Sequence, residues 1–148
     1  MIMADVTHIL YLSLGSNLGD PELNVRRAIS LIGERVGTVE RVSSMYETAP
    51  WGFVSEHNFV NAAVRVATMM PPRAVLEVTQ TIERELGRRS KSVDGHYHDR
   101  TIDIDILMYD DLRVDEPDLK IPHPLMYERD FVMMPLREIC PGARQENL

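Results

Sequence analysis

Two hydrophobic periods alternating along the 148-residue chain predict an α+β fold, an antiparallel sheet packed against helices. One observation is period-two alternation at residues 59–68 and 101–109, where β-branched and small apolar side chains trade places with other types. A second is helical spacing behind Pro21 and behind Pro72, each proline standing where a helix tolerates it best, at the first helical position. The third is the order of the segments, β-α-β-β-α-β, which is the split βαβ arrangement.

Each element has its own local reason. Residues 9–14 are an apolar run that stops at Gly15, the first strand. Asp20-Pro21-Glu22 supplies an N-cap, a proline and an acid in the first turn, and Val25, Ala28, Ile29, Ile32 and Val36 form the stripe of the helix that follows. Residues 39–46 read as the second strand, and 48–58 as a loop long enough to carry function. The third strand, 59–68, puts Val60, Ala62, Val64 and Val66 on one face and Phe59 and Asn61 on the other. After Pro71-Pro72 the second helix turns Val75, Val78, Thr79, Ile82 and Leu86 inward and ends at Gly87. Residues 88–99 have no period and read as a loop; 101–109 is the fourth strand, Asp110-Asp111 turns the chain, and short extended and helical pieces complete it.

Composition bounds the possibilities. An apolar content of 44% suffices for a single core, so one domain over residues 1–148 is expected. Cys140 is the sole cysteine, which excludes an internal disulfide framework and fits a reducing compartment. No apolar run approaches the ~20 residues of a spanning helix, and Asp5 near the N-terminus has no basic flank, so the expectation is a cytoplasmic protein without membrane contact. The net charge of −7, from 16 basic and 23 acidic side chains, argues against a nucleic-acid partner. The expected partners are small molecules, and the expected state is a monomer.

The segment Arg100-Thr-Ile-Asp-Ile-Asp-Ile-Leu107 carries the strongest chemical signal. Residues two apart on a strand point the same way at roughly 6.6 Å, so Asp103 and Asp105 can share one hard cation or a close pair of them. Ile102, Ile104 and Ile106 give that strand an apolar back. Taken alone, Asp-x-Asp is more often a solvated strand face. The surroundings change the balance: Arg84, Arg88, Arg89, Lys91 and Arg100 form a basic cluster in an acidic chain, and Ile121-Pro122-His123-Pro124, Arg129 and Phe131 follow. Metal ligands, guanidinium clamps and aromatic rings are the parts of a phosphoryl-type transfer site. Gly15-Ser-Asn-Leu-Gly19 lacks the Gly-Lys-Ser/Thr ending of a phosphate loop and reads as a strand-to-helix turn with at most a supporting role.

These blocks, together with Ser44-Met-Tyr-Glu-Thr-Ala-Pro-Trp-Gly52 and Phe59-Val-Asn-Ala-Ala63, occur in the order in which they stand in the 6-hydroxymethyl-7,8-dihydropterin pyrophosphokinases, a family that the chain resembles over nearly its whole length. The resemblance implies a ferredoxin-like βαββαβ core with C-terminal helices over the second face of the sheet. It implies transfer of pyrophosphate from MgATP, the co-substrate, to 6-hydroxymethyl-7,8-dihydropterin. Asp103 and Asp105 would hold two Mg²⁺ ions, with Arg88 and Arg100 completing the catalytic set. The pterin would meet Thr48, Ala49, Trp51, Phe59, Asn61 and Phe131. ATP would meet Gln80, Glu83, Arg88, Lys91, Arg100, Ile106, His123 and Arg129. Gln80 and Glu83, three apart on one helix face, would otherwise read as surface polars opposite the apolar stripe. The chain departs from the family in Tyr97-His98-Asp99-Arg100, where relatives carry Trp-Gly-Pro-Arg, and in a loop two residues longer, so that Tyr97 and Arg89 have no assigned role.

Two rival readings use the same features. A non-catalytic ferredoxin-like ligand-binding module has no need of paired acids facing arginines. A metal-dependent phosphohydrolase uses those acids with water as acceptor.

Overall fold

The computed structural model describes residues 6–49, 57–87 and 101–143. Strand β1 (His8–Ser16) leads to helix α1 (Pro21–Arg35), which returns through β2 (Thr38–Val42) and β3 (Tyr46–Thr48). Next come β4 (Phe59–Thr68), α2 (Pro72–Glu85) and β5 (Asp103–Tyr109), then a hairpin of β6 (Val114–Glu116) and β7 (Leu119–Ile121), a 3-10 turn at Met126–Glu128, and α3 (Asp130–Ile139). The sheet order is β2-β4-β1-β5 with β3 also paired to β4, and every pairing is antiparallel. This is the ferredoxin-like topology.

The helices begin and end as their sequences direct. Asp20 caps α1, its carboxylate accepting from the Leu23 N–H at 3.2 Å, and Pro21 follows at the first helical position. Beyond α2, Gly87 adopts φ +109°, a conformation that a side chain would strain.

Alternation along the strands divides the interior in two. Leu10, Leu12 and Leu14 of β1, Val64 and Val66 of β4, and Ile104 and Ile106 of β5 meet Val25, Ala28 and Ile32 of α1 and Val75 and Ile82 of α2. On the opposite face Tyr11, Ala63 and Leu107 meet Met126 and the α3 residues Val132, Met133, Leu136 and Ile139. A register shift between Tyr11 and Leu12 against β5 lets both Leu107 and Met108 turn toward α3. Helices therefore lie on both sides of the sheet, as expected.

Three boundaries differ from the expectation, one of them the fourth strand, which begins at Asp103 rather than at Thr101. β1 does not stop at Gly15 but pairs through Ser16, because Gly15 and Ser16 still have partners in β4 at Asn61 and Val60. The second strand is not continuous over 39–46 but breaks into β2 and β3, and Thr48 belongs to β3 rather than to a loop. At the break the Ser43 N–H donates to the Ala63 carbonyl while the Ser43 hydroxyl accepts from the Ala63 N–H, both at 2.9 Å, so one residue's side chain substitutes for a backbone rung.

Candidate active site

The face of the sheet that carries α3 also carries a row of four residues in register. Asp103 of β5 stands opposite Gly15 of β1, Gly15 opposite Asn61 of β4, and Asn61 opposite Tyr46 of β3. The next row on that face runs from Asp105 through Ser13 to Ala63. Neighbouring strands lie ~4.8 Å apart, so the Asp103 and Asn61 backbones are separated by about 10 Å with a residue lacking a side chain between them. A Cβ on Gly15 would come within 3.0 Å of Asn61 Oδ1 and 3.6 Å of a Phe59 ring carbon. The result is a buried stretch of backbone beneath the Asn61 amide and the Phe59 ring, with an acidic wall on β5 and an amide wall on β3 and β4.

The amide wall is ordered by its own contacts. Asn61 is only 4% exposed, and its Nδ2 donates to Thr48 Oγ1 at 2.6 Å, which fixes which way the amide points. Thr48 in turn stands opposite Phe59, and Ala49 follows it at the surface. Phe131 lies in the first turn of α3, with the guanidinium of the buried Arg129 over its ring at 5.6 Å from the centroid.

On the acidic wall Asp103 and Asp105 are partly exposed while Ile102, Ile104 and Ile106 are buried behind them. Glu83 of α2 is not the surface polar that its place opposite the stripe suggested. It is 2% exposed and its Oε2 accepts from the Ile104 N–H, between the two aspartates, at 2.8 Å. The reason is periodicity: Glu83 is four residues after the buried Thr79 and falls inside the stripe. Gln80, half-buried, sits on the preceding turn.

His123 is held on both sides. Its N–H donates to the Leu107 carbonyl at 2.9 Å, and its ring Nδ1 accepts from the Leu125 N–H at 3.2 Å, which leaves the ring proton on Nε2. Burial and then the Arg129 guanidinium push the imidazole down to about 4, against the opposing pull of Asp103. It is a neutral donor at neutral pH.

Beside this wall a cavity of about 230 Å³ opens between Leu76 of α2, Asp105 and Ile106 of β5, His123, and Asp118, Leu119 and Lys120 of the hairpin. Arg73 at the start of α2 holds the hairpin in place through Asp118, at 2.8 and 3.0 Å, and through Glu116. Among the described residues no three His, Cys, Asp or Glu side chains converge as a ready-made metal cage. Two carboxylates on a strand, with phosphate oxygens and water completing the shell, suit Mg²⁺, which retains water and is commonly held by one or two carboxylates plus substrate.

Of the residues expected from the sequence, the fold brings Asp103, Asp105, Ile106 and His123 to one wall and Thr48, Phe59 and Asn61 to the other, with Phe131 and Arg129 at the start of α3. Trp51, Arg88, Arg89, Lys91, Tyr97 and Arg100 lie outside the described residues. Sequence reasoning missed Gly15 as the residue between the two walls. The available signal was a glycine inside an otherwise β-forming run, which often marks a close approach.

A profile of the 7,8-dihydro-6-hydroxymethylpterin-pyrophosphokinase family matches residues 11–141. A 2-amino-4-hydroxy-6-hydroxymethyldihydropteridine pyrophosphokinase of Porphyromonas gingivalis is 50% identical over 139 residues, 93% of this chain and 95% of its own length. The Bacillus subtilis protein of the same name is 42% identical over 142 residues, 95% of this chain and 83% of its own. Among solved structures, a Plasmodium falciparum HPPK-DHPS triple mutant superposes with a TM-score of 0.76 at 19% identity, over 97% of this chain and 42% of that longer one, a likeness of fold.

Proposed function

The chain belongs to the 7,8-dihydro-6-hydroxymethylpterin-pyrophosphokinase family and transfers pyrophosphate from ATP to 6-hydroxymethyl-7,8-dihydropterin in folate biosynthesis, and from that premise we propose how the site divides its two substrates. The observation that carries the division is the row Asp103–Gly15–Asn61, with two chemically different walls on either side of a glycine. The pterin lies over Gly15. Asn61 and Thr48 meet its polar edge with fixed donors and acceptors, and Phe131 and Trp51 supply the rings that stack on it, beside Phe59 and Ala49.

ATP occupies the acidic side. Its nucleoside enters the cavity beside Ile106, and its phosphates reach His123, whose neutral Nε2–H donates without altering the charge balance. Gln80 and Glu83 brace this side from α2, and Glu83 does so by holding the β5 backbone. Arg88, Lys91, Arg100 and Arg129 supply positive charge to the polyphosphate. Asp103 and Asp105 would hold magnesium, two ions in this reading; when bound, the metal screens phosphate charge and makes the β-phosphorus more electrophilic.

The pterin hydroxymethyl oxygen attacks the β-phosphorus, forming a new O–P bond as the bond from that phosphorus to the α,β-bridging oxygen breaks. AMP departs with the bridging oxygen, and the alcohol proton passes to water. The chain's part is to bring the two reactants together, neutralise the transferring group with Arg88 and Arg100, and orient the acceptor. Both partners are small molecules, residues 1–148 act as one pyrophosphokinase domain, and the protein is a monomer in the cytoplasm. Among the described residues no helix is long and apolar enough to cross a membrane.

The test is to incubate the protein with ATP and Mg²⁺, with and without 6-hydroxymethyl-7,8-dihydropterin. AMP should form only when the pterin is present. Phosphate or AMP release without it would overturn the assignment of the acceptor.

A further inference from the structure

The wall that meets the pterin edge is built on a weak element. β3 has three residues, and its ladder with β4 pairs only Tyr46, Glu47 and Thr48 with Asn61, Val60 and Phe59. So short a strand is poorly held by its own rungs. Additional restraint arrives from the opposite end of α3. Both oxygens of the Glu138 carboxylate are engaged there: Oε1 accepts from the Tyr46 hydroxyl at 2.5 Å, and Oε2 accepts from the Ser44 N–H at 2.8 Å and the Ser44 hydroxyl at 3.2 Å. Arg41 of β2 adds a bond to the Ile139 carbonyl at 3.2 Å.

We propose that Glu138 is a positioning residue for the pterin: by holding Ser44 and Tyr46 it sets β3, and through β3 the Thr48–Asn61 pair that meets the heterocycle's edge. Register supports the route, since Tyr46 stands directly opposite Asn61, and Asn61 reaches Thr48 two residues further along the same strand. The geometry of α3 extends it. Phe131 and Glu138 are seven residues apart, two turns and ~10.5 Å of helix, so both project from one side. Between them Val132, Met133 and Leu136 anchor the helix in the core. One rigid element thus carries the stacking ring at its start and the tether of the edge wall at its end. The Tyr46 hydroxyl and then the Ser44 N–H hold the Glu138 carboxyl below the usual carboxylate range, so the tether is charged at neutral pH.

This inference rests on the placement of the pterin against Thr48 and Asn61, and the experiment separates the two. Steady-state kinetics with each substrate varied are run for Glu138→Gln, Tyr46→Phe, Asn61→Ala and the Glu138→Gln/Asn61→Ala pair, alongside thermal melts. Glu138→Gln keeps size but loses one acceptor oxygen, and should raise the KM for the pterin about 5- to 10-fold with kcat and the KM for ATP within about two-fold. Tyr46→Phe should give about three-fold. In the Asn61→Ala background the effect of Glu138→Gln should shrink to less than half on a logarithmic scale, because both act through one contact. If Glu138→Gln leaves too little folded enzyme, Tyr46→Phe, which removes a single hydroxyl, decides by the same criterion. An unchanged pterin KM, a parallel rise in the ATP KM, or full additivity with Asn61→Ala overturns the proposal. If Asn61→Ala itself leaves the pterin KM unchanged, the placement of the pterin is what fails, and the inference falls with it.

Discussion

Along β1, Leu10, Leu12 and Leu14 lie fully buried beneath α1 and α2, while Tyr11, Ser13 and Gly15, one residue out of step, face the side that α3 covers. The first set is defined only by being apolar and of the right size, and it is indifferent to which carbon touches which. The second set is defined by what stands across from each member: Gly15 is useful because Asn61 and Asp103 flank it, and Ser13 because Asp105 does. Apart from Tyr11, which packs in the second core under α3, the two faces of this strand divide apolar burial from chemistry.

The largest expected effect tests the apolar face. Leu12→Ala removes most of a fully buried side chain and should cost about 3–5 kcal/mol of stability, read by denaturant unfolding, while the KM values of the folded enzyme stay near wild type. A large shift in either KM would mean that the two faces are coupled. The converse test is Asp105→Ala, which should lower kcat at least about 100-fold, ~3 kcal/mol, yet leave the melting temperature within a few degrees. Near-normal turnover would remove Asp105 from the metal site.

His123 probes whether the chemical face is free of stability terms altogether. Its imidazole is held neutral in the fold, near 4, against an ordinary 6.5. Below pH 6.5 the unfolded chain binds a proton that the folded protein refuses, so stability should fall as pH drops from 6.5 to about 4 and then level off for this group. The loss is on the order of 2 kcal/mol, discounted for the part of the ring that solvent reaches. In chelator-treated protein His123→Gln should show a shallower decline in melting temperature over that window, and an identical decline would refute the assignment. Smallest is Gly15→Ala. The new methyl presses on Asn61 Oδ1 from 3.0 Å, and the KM for the pterin should rise a few-fold, by ~1 kcal/mol or less, with that for ATP unchanged. Equal rises in both would mean that Gly15 serves both substrates.

What the sequence disclosed follows the same division. Alternation and capping are local, so the burial of Ile102, Ile104 and Ile106 behind two aspartates, and the Asp20 cap of α1, were readable from neighbouring residues alone. The role of Gly15 was not, because it depends on the register of two other strands; a glycine at the end of an apolar run looks like a turn until Asn61 is placed across from it. The break at Ser43 was hidden because a serine hydroxyl standing in for a backbone group leaves no periodic trace. Glu83 was assigned to the nucleotide side by resemblance, but its burial and its bond to the Ile104 N–H depend on how α2 meets β5.

That last bond has a consequence for the protein in concentrated solution. β5 closes the described sheet on its side, and an outermost strand offers open rungs to which another chain can add. Here the Ile104 N–H is occupied by Glu83 and the Leu107 carbonyl by the His123 N–H, so a carboxylate and a turn, rather than another strand, blunt the edge. Glu83→Ala should therefore show concentration-dependent light scattering in addition to any weakening of ATP use measured at high dilution; a monodisperse variant at high concentration would show that β5 needs no such guard.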